Sequence, residues 1–431
     1  MTSCISAGST AHLKREAATR PCWPIIWLWV LSIAQYSYRY LLQVNDASTS
    51  QLYSSTPPGL SAIKYGIFSL FTLYAALSLL RRPVSLTRTY SALAFITLVA
   101  IMALGVVFVS RLALYPGALD ETVTCAVQLM PWMASAVLVP LVFSEKHSLS
   151  STFTTFERVA FWIAFPFWMI TVGLAAWGIR YPALSYPGLL VRFGGILDDP
   201  NGYACLCLFF LVLAVSFRNG NWRSRTIVYG VMLLGTLSLA GYITALMIVV
   251  VWLLAWLVGS RRAFRSRVSS VAIASTVVIS AIAISLVGWE KSEDVTDAIT
   301  ALYSAKSNST TAHVSDLLPD EAMLDVTFPV TLLFGVGGFS ENFYWRVLTN
   351  FGWLGFFVVV GLLGSWSYCA LARVRSWQRN VGAWSVGVLI GSNGIAYLLT
   401  FPLNLIYWSI LGLLVWTRES SSSAVAGRGL T

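Results

Sequence analysis

Two polar, glycine-rich segments interrupt a chain that otherwise consists mainly of long apolar runs. The first is Arg192-Phe-Gly-Gly-Ile-Leu-Asp-Asp-Pro-Asn201, and the second is Gly335-Val-Gly-Gly-Phe-Ser-Glu-Asn-Phe-Tyr-Trp-Arg346. Each leads directly into an apolar run. Together they supply guanidinium groups, carboxylates and amides, which can bind phosphate and move protons. If both segments face the same compartment, this set predicts an active site for a lipid-borne substrate.

The first segment combines a helix start with basic residues that a helix start does not explain. Asp199-Pro-Asn is typical of a helix N-terminus, with the aspartate as N-cap and the proline at the first helical position. Arg192 and Arg180 go against the positive-inside bias if this loop faces outward. Guanidinium groups and helix N-termini both favour anions, so we predict that these arginines bind a pyrophosphate. The alternative for Arg192 is an interfacial position or an ion pair with Asp198.

The second segment contains the strongest candidate for a general base, Glu341. A carboxylate at a water-poor membrane mouth tends to hold a proton more strongly, which suits general-base chemistry. The alternative is that Glu341 only caps the following helix. Arg346 is either a second phosphate ligand or the ion-pair partner of Glu341. His313 is a weaker rival for the base, because a lone histidine in a loop is usually incidental.

Composition places these segments in a membrane protein. The 431 residues are 57% hydrophobic and 11% charged, and the mean hydropathy is +0.72, whereas a soluble domain carries roughly 25% charged residues. The apolar runs are long and continuous, unlike the alternating segments of a membrane β-barrel. We therefore predict an all-α polytopic integral membrane protein. The six cysteines and three histidines show no metal-ligand spacing, so we predict no metal or other cofactor.

About twelve runs approach the length of ~20 residues needed to cross a bilayer. The seventh and eighth runs join through Leu239-Ala-Gly-Tyr242, and the last two join through Thr400-Phe-Pro402, so we predict a tight helical hairpin at each place. The predicted spans are 23–42, 62–80, 91–110, 122–143, 159–179, 200–217, 226–240, 241–258, 270–288, 347–372, 383–400 and 402–417.

The distribution of basic residues predicts the orientation of these spans. Most of the 28 Lys and Arg residues fall in alternate connecting segments, which predicts that both termini are cytoplasmic. The same bias explains the net charge of +10 without a nucleic-acid partner. The predicted layout is a cytoplasmic segment at 1–22, a transmembrane bundle at 23–418 with periplasmic loops at 180–200 and 289–346, and a disordered cytoplasmic tail at 419–431.

The order of these motifs resembles the O-antigen polymerase and O-antigen ligase superfamily of bacterial membrane glycosyltransferases. Its members have a basic loop that ends in Pro-Asn, as at Arg192 to Asn201. A long loop follows, then Gly335-x-Gly337, Glu341-Asn342-Phe-Tyr344, and Gly352-Trp-Leu-Gly355 inside the next span. Two features depart from the pattern. The expected Ser-Arg-Gly hairpin reads Leu237-Ser-Leu-Ala-Gly-Tyr242 without an arginine, and Glu341 stands where ligases typically have histidine, which favours a polymerase.

The resemblance implies a GT-C-like bundle in the bacterial inner membrane that performs metal-independent, inverting glycosyl transfer at the periplasmic face. Its substrate would be an undecaprenyl-pyrophosphate-linked oligosaccharide, and a chain-length regulator is a further conceivable partner. Glu341 would be the catalytic base. Arg192, with Arg180 or Arg346, would hold the pyrophosphate. The expected supporting residues are Asn201, Asn342, Tyr344 and Gly337.

Two other functions stay open at this point. A ligase of the same superfamily would transfer finished O-antigen to lipid A-core. A transporter or flippase of lipid-linked oligosaccharides would have a different activity altogether. Transporters usually place charges or broken helices near the bilayer midplane. The polar groups in this sequence lie mostly in loops, which favours the enzyme.

Overall fold

A computed structural model of the protein describes thirteen segments of the chain, and several predicted features lie outside them. The outlying features are Arg180, Gly337, Glu341, the predicted ninth span at 270–288 and the tail at 419–431. The described residues are 20–35, 58–81, 88–114, 119–144, 147–177, 183–185, 191–197, 199–218, 220–259, 333–335, 342–371, 376–393 and 396–416.

The described residues form eleven α-helices and one short β-hairpin. In chain order these are α1 (Trp23–Ala34), α2 (Pro58–Arg81), α3 (Arg88–Leu114), α4 (Leu119–Val142), α5 (Leu149–Ala176), β1 (Ala183–Ser185), β2 (Val191–Phe193), α6 (Pro200–Phe217), α7 (Trp222–Gly235), α8 (Leu239–Gly259), α9 (Phe343–Leu371), α10 (Ser376–Gly391) and α11 (Leu403–Trp416). Two 3₁₀ turns, Gly195–Leu197 and Tyr397–Leu399, precede α6 and α11.

Six of these helices are long and apolar enough to cross a membrane, namely α2, α3, α4, α5, α6 and α9. The prediction of a helical, membrane-embedded protein is therefore confirmed. One of the eleven described helices lies in each predicted span except the ninth. The count of twelve spans and the GT-C-like arrangement stay predictions.

The helix α11 forms the centre of the bundle. Every residue from Leu403 to Val415 is buried. It packs along α4, where Asn404 Nδ2 donates to the carbonyl oxygen of Gln128 at 2.9 Å. Further along, a side chain on Gly412 would collide with the backbone of Ala136, so glycine permits this close approach.

One end of the bundle, here called the Arg20 end, gathers ends of helices that the charge pattern assigns to the cytoplasm. Ser148 N, just before α5, donates to the carbonyl oxygen of Arg20 at 2.9 Å. The ring of Phe143, after α4, packs on Trp416 at the end of α11, with centroids 5.2 Å apart. These contacts join segments far apart in sequence, as a chain that crosses back and forth requires.

The opposite end, here called the Arg346 end, gathers the starts of α6 and α9. Phe343 N donates to the carbonyl oxygen of Ser392 at 3.0 Å, which joins α9 to the end of α10. Ser238 Oγ, before α8, donates to Asn201 Oδ1 at 2.7 Å. The two ends thus separate the predicted cytoplasmic and outer segments. Which end faces the cytoplasm stays a prediction.

Of the two predicted tight hairpins, the first has a short connection, but it lies before Leu239 rather than within Leu239-Ala-Gly-Tyr242, and the second is wrong. The helices α7 and α8 are joined by the three residues 236–238, with Leu237 in the left-handed region at φ 46°. By contrast, α10 already ends at Gly391, and residues 392–402 connect it to α11. The sequence Gly391-Ser-Asn-Gly394 stops the helix early. The described part of the connection is mostly buried, and protein contact lets non-helical backbone lie inside a membrane bundle.

Candidate functional site

The start of α6 confirms the structural role predicted for Asp199-Pro-Asn. The Asp199 carboxylate accepts hydrogen bonds from Asn201 N at 3.0 Å and from Gly202 N at 2.9 Å. Pro200 is the first residue of the helix. The carboxylate satisfies two of the backbone donors that a helix start leaves unpaired. Asp199 is therefore a capping residue.

Arg192 lies in β2, opposite Leu184 of β1, and its side chain lies outside the described part of the structure. The hairpin packs on α5 through Phe193, whose ring centroid is 6.5 Å from that of Trp168. The next turn is fixed by Gly195, which has φ +52° and lies so close to the Tyr203 ring that a Cβ would collide with it. The backbone at Gly195 is thus held against the start of α6.

Asn201 connects the first motif to the α7–α8 hairpin. Its side-chain oxygen accepts the hydrogen bond from Ser238 Oγ, and that hydroxyl oxygen accepts from Gly241 N at 3.0 Å in the first turn of α8. Gly241 also approaches Ala204 too closely for a side chain. The connection between α7 and α8, where the resemblance predicts an arginine that is absent, is therefore packed directly on the Pro-Asn motif. Asn201 therefore links the start of α6 to the start of α8, and its predicted role in the substrate site stays a prediction.

Asn342 caps α9. Its Oδ1 accepts hydrogen bonds from Tyr344 N at 2.8 Å and from Trp345 N at 3.3 Å. The sequence offered Glu341 as a possible cap of this helix. In the structure its neighbour Asn342 provides a cap. Tyr344 Oη donates to the carbonyl oxygen of Leu389 at 2.6 Å, so its hydroxyl ties α9 to α10. This contact supports a packing role for Tyr344.

Arg346 is buried, and the carboxylate near it comes from α4. Arg346 Nη2 lies 3.3 Å from Glu121 Oε2, and the Glu121 side chain is 41% exposed. Asn350 Nδ2 donates to the carbonyl oxygen of Arg346 at 2.8 Å, and Thr122 Oγ1 donates to Asn350 Oδ1 at 3.1 Å. These four residues, Glu121, Thr122, Arg346 and Asn350, are here called the Arg346 cluster. The predicted partner, Glu341, lies outside the described residues.

A second buried arginine, Arg111 at the end of α3, lies at the same level of the bundle. The helices α3 and α9 run antiparallel, because Trp366 Nε1 donates to Thr97 Oγ1 at 3.1 Å, while Leu104 lies beside Gly355. Seven residues beyond Leu104, a rise of ~10 Å along α3, is Arg111. The same distance back from Gly355 along α9 reaches the Arg346 cluster.

The position of Arg346 depends on two interlocked glycines. Gly335 (φ +81°) faces the backbone of Thr349 to Gly352, and Gly352 (φ +63°) faces the backbone of Leu333. A Cβ on either glycine would collide with main-chain atoms. The helix α9 is non-helical at Gly352. Residues 333–335 are thus locked against the first turns of α9, which carry Arg346.

Neither Arg111 nor Glu121 belongs to the two polar segments, so the motifs predicted no role for them. The available signal was a charged residue at the end of a long apolar run, which often pairs or binds a ligand when it faces the bundle interior. Two guanidinium groups in one layer can bind an oxyanion, although an anion at Arg346 would have to compete with Glu121. In the residues that the structure describes, no group of three or more His, Cys, Asp or Glu side chains could hold a metal ion.

No protein-family model matches the chain, and comparison with curated proteins finds no relative. The resemblance carried by the motifs therefore stays a prediction. The observations establish a helical membrane-embedded protein whose two motif-bearing helix starts lie at one end of the bundle, the end toward which the buried arginines Arg346 and Arg111 also lie.

Proposed function

We propose that the protein is a membrane glycosyltransferase. It polymerises undecaprenyl-pyrophosphate-linked repeat units of O-antigen, or of a related surface polysaccharide, at the periplasmic face of the inner membrane. One observation carries the proposal. The two helix starts that carry the motifs, at Asn201 and at Arg346, lie at the same end of one helical bundle. The second of them carries the buried arginine of the Arg346 cluster. A loop-borne site on a lipid-linked anionic substrate needs such convergence.

In the proposed reaction, Glu341 takes the proton from the acceptor hydroxyl. The hydroxyl oxygen then attacks the anomeric carbon of the donor sugar with inversion. The bond from that carbon to the pyrophosphate oxygen breaks, and undecaprenyl pyrophosphate leaves with the electron pair. Arg192 and Arg180 of the outer loop, with Arg346, stabilise the charge on the leaving group. Arg346 also takes the place of the arginine that the α7–α8 hairpin lacks.

The Arg346 cluster gives this proposal a specific test. Arg346→Ala should reduce the rate of polymerisation by about 100-fold or more, because a preorganised donor to developing charge contributes on that scale. Arg346→Lys should keep part of the rate, since it retains the charge but loses the fork of donors. The control is Arg223→Ala, at an exposed position near the Arg20 end. The rate is measured with purified protein and lipid-linked repeat units, and expression levels are matched.

A lipopolysaccharide gel of a deletion strain separates the related activities. Core with a single repeat identifies a polymerase, and complementation by wild type but not by Arg346→Ala or Glu341→Ala locates the site. Bare core with accumulated lipid-linked polymer identifies a ligase. An unchanged ladder, together with normal polymerisation by both variants, refutes the proposed reaction on O-antigen.

A second candidate, a transporter of lipid-linked oligosaccharides, is favoured by the break in α9 at Gly352. Transporters commonly use discontinuous helices with charged groups nearby. Reconstituted liposomes distinguish the two functions. A transporter moves labelled lipid-linked oligosaccharide across the bilayer without lengthening it, whereas the proposed enzyme lengthens the saccharide.

A further inference from the structure

Lys64, in the first turns of α2, lies among aromatic rings outside the Arg346 cluster. Its Nζ is 4.6 Å from the ring centroid of Tyr65, 5.4 Å from that of Phe401 and 5.7 Å from that of Trp132. Tyr65 and Trp132 are themselves stacked at 5.9 Å. Ring faces attract a cation, but they do not satisfy the three N–H donors of an ammonium group.

This group lies where the first turns of α2 meet α4, with Lys64 partly exposed and Trp132 buried. Along α4, Trp132 is eleven residues from Glu121, which corresponds to ~16 Å of helix. Phe401 belongs to the connection before α11, and Lys64 is the third residue of the candidate span Ala62–Arg81. A charged side chain at such a position normally faces a partner or marks a ligand site.

The described surroundings of Lys64 offer donors and lack an acceptor. Among the described residues, Lys64 makes neither an ion pair nor a hydrogen bond. The Trp132 side chain is fully buried, and its Nε1 has no hydrogen-bond partner there either. An ammonium and an indole N–H can only donate. Trp132 Nε1 is a buried donor without an acceptor, which is costly. The ammonium of Lys64 is partly exposed, so an anionic acceptor from outside the protein can reach it.

The location of α2 indicates where that acceptor comes from. Of the six candidate membrane spans, α2 is the least buried inside the protein. Most of its large exposed side chains follow Lys64 along the helix: Leu70, Leu73, Tyr74, Leu77, Leu79 and Leu80. Lys64 thus lies where the lipid-facing helix meets the bundle, and an apolar chain can lie along α2 below it.

We infer that Lys64 and Trp132 form a binding site for the phosphate group of a membrane lipid, with the lipid tail along α2. The ammonium and the indole N–H donate to the phosphate oxygens, and the rings of Tyr65 and Phe401 hold the Lys64 side chain in place. The site is separate from the Arg346 cluster, and its occupation requires no glycosyl transfer.

The first test uses the wild-type full-length protein in detergent. Its few lysines are acylated with an amine-reactive reagent, and the rate at Lys64 is followed by mass spectrometry. Undecaprenyl phosphate should slow that rate about tenfold, as expected for a charge-assisted hydrogen bond. Undecaprenol, which has the same tail without the phosphate, should leave it unchanged. Inorganic phosphate should do little, because the tail supplies part of the affinity.

Variants provide the second test, with direct measurement of undecaprenyl phosphate affinity. Lys64→Gln should weaken binding about tenfold, Trp132→Phe should weaken it less, and Lys64→Arg should retain it. The control, Arg81→Gln, changes a charge at the other end of α2 and should bind normally. Equal protection by undecaprenol or by inorganic phosphate contradicts a lipid-phosphate site, and so does acylation of Lys64 at the same rate with every probe. These are binding measurements, so their failure leaves the proposed polymerase untouched.

Discussion

At the residue scale, the Asp199 carboxylate caps α6, so its substitution changes the stability of the protein as well as any role in the reaction. Asp199→Ala should remove the cap of α6 and cost about 1 kcal/mol of stability. The apparent melting temperature in detergent should fall by a few degrees. Asp199→Ser restores a capping oxygen without the charge, so it should recover the stability.

Polymer formation by the Asp199→Ser variant separates the two roles of that position. Normal polymer with restored stability agrees with a capping residue. Loss of polymer despite full stability would show that the negative charge itself takes part in the reaction.

Single residues also show which parts of the candidate site could be predicted from the sequence. The Asp199 cap was predictable, because its signal is contained in three consecutive residues. The partner of Arg346 was not, because Glu121 is 225 positions away in the chain and only the packing of α4 against α9 brings the two together. For the same reason Arg111 could be recognised as a charged span end, but its burial in the bundle could not be predicted.

At the element scale, the lock between Gly335 and Gly352 makes a specific prediction. Gly352→Ala and Gly335→Ala should each destabilise the protein strongly, because the new Cβ meets main-chain atoms and the backbone has a positive φ. The matched control is Gly361→Ala in the same helix, where a Cβ meets nothing within 4 Å. That change should be neutral or stabilise α9 by up to about 1 kcal/mol.

Thermal unfolding of the three variants, followed by intrinsic tryptophan fluorescence, measures this difference. Equal melting temperatures for Gly352→Ala and Gly361→Ala would contradict the lock. A variant at Gly335 that folds but loses polymer would show that the lock also positions Arg346 for the reaction.

The connection between α10 and α11 shows why element boundaries were harder to predict than elements. Apolar residues continue from 383 through Thr400, so hydropathy alone favours an uninterrupted span there. The helix nevertheless stops at Gly391, since glycine and asparagine end it and burial in the bundle stabilises the irregular backbone that follows. Hydropathy reports the environment of a segment, whereas the local backbone depends on contacts with other helices.

At the scale of the whole molecule, the separation of the two ends predicts which loops face the same compartment. Asn221 at the Arg20 end and Asn393 at the Arg346 end are exposed, so each can be replaced by a single cysteine and tested for labelling. In intact cells, a membrane-impermeant maleimide should label Asn393→Cys after the outer membrane is permeabilised. Asn221→Cys should react only after the inner membrane is opened as well. The opposite pattern would reverse the predicted orientation and exclude a periplasmic site near Arg346.

The native cysteines permit this test with little background. Cys125, Cys205 and Cys207 are buried. Burial also raises the pKa of the Cys22 thiol to about 12, so the reactive thiolate is scarce at the pH of labelling. Replacing the two other cysteines, Cys4 and Cys369, by serine removes the remaining background labelling.

Composition and charge predicted the class of the whole molecule and the grouping of its helix ends, because both follow from the solvent that each segment meets. They did not predict which helix would lie at the centre. That position belongs to α11, whose fourteen residues include the polar Asn404 and Ser409 but are otherwise as apolar as those of a lipid-facing helix.

The burial of α11 has a consequence for biogenesis. From Leu403 to Val415 this helix has no face left for lipid. We therefore expect α11 to leave the insertion machinery only into a slot already formed by its neighbours, chiefly α4. Its integration into the membrane would then depend on packing against other helices rather than on partitioning into lipid. Defects in α4 should therefore appear first as failure to retain α11 in the membrane.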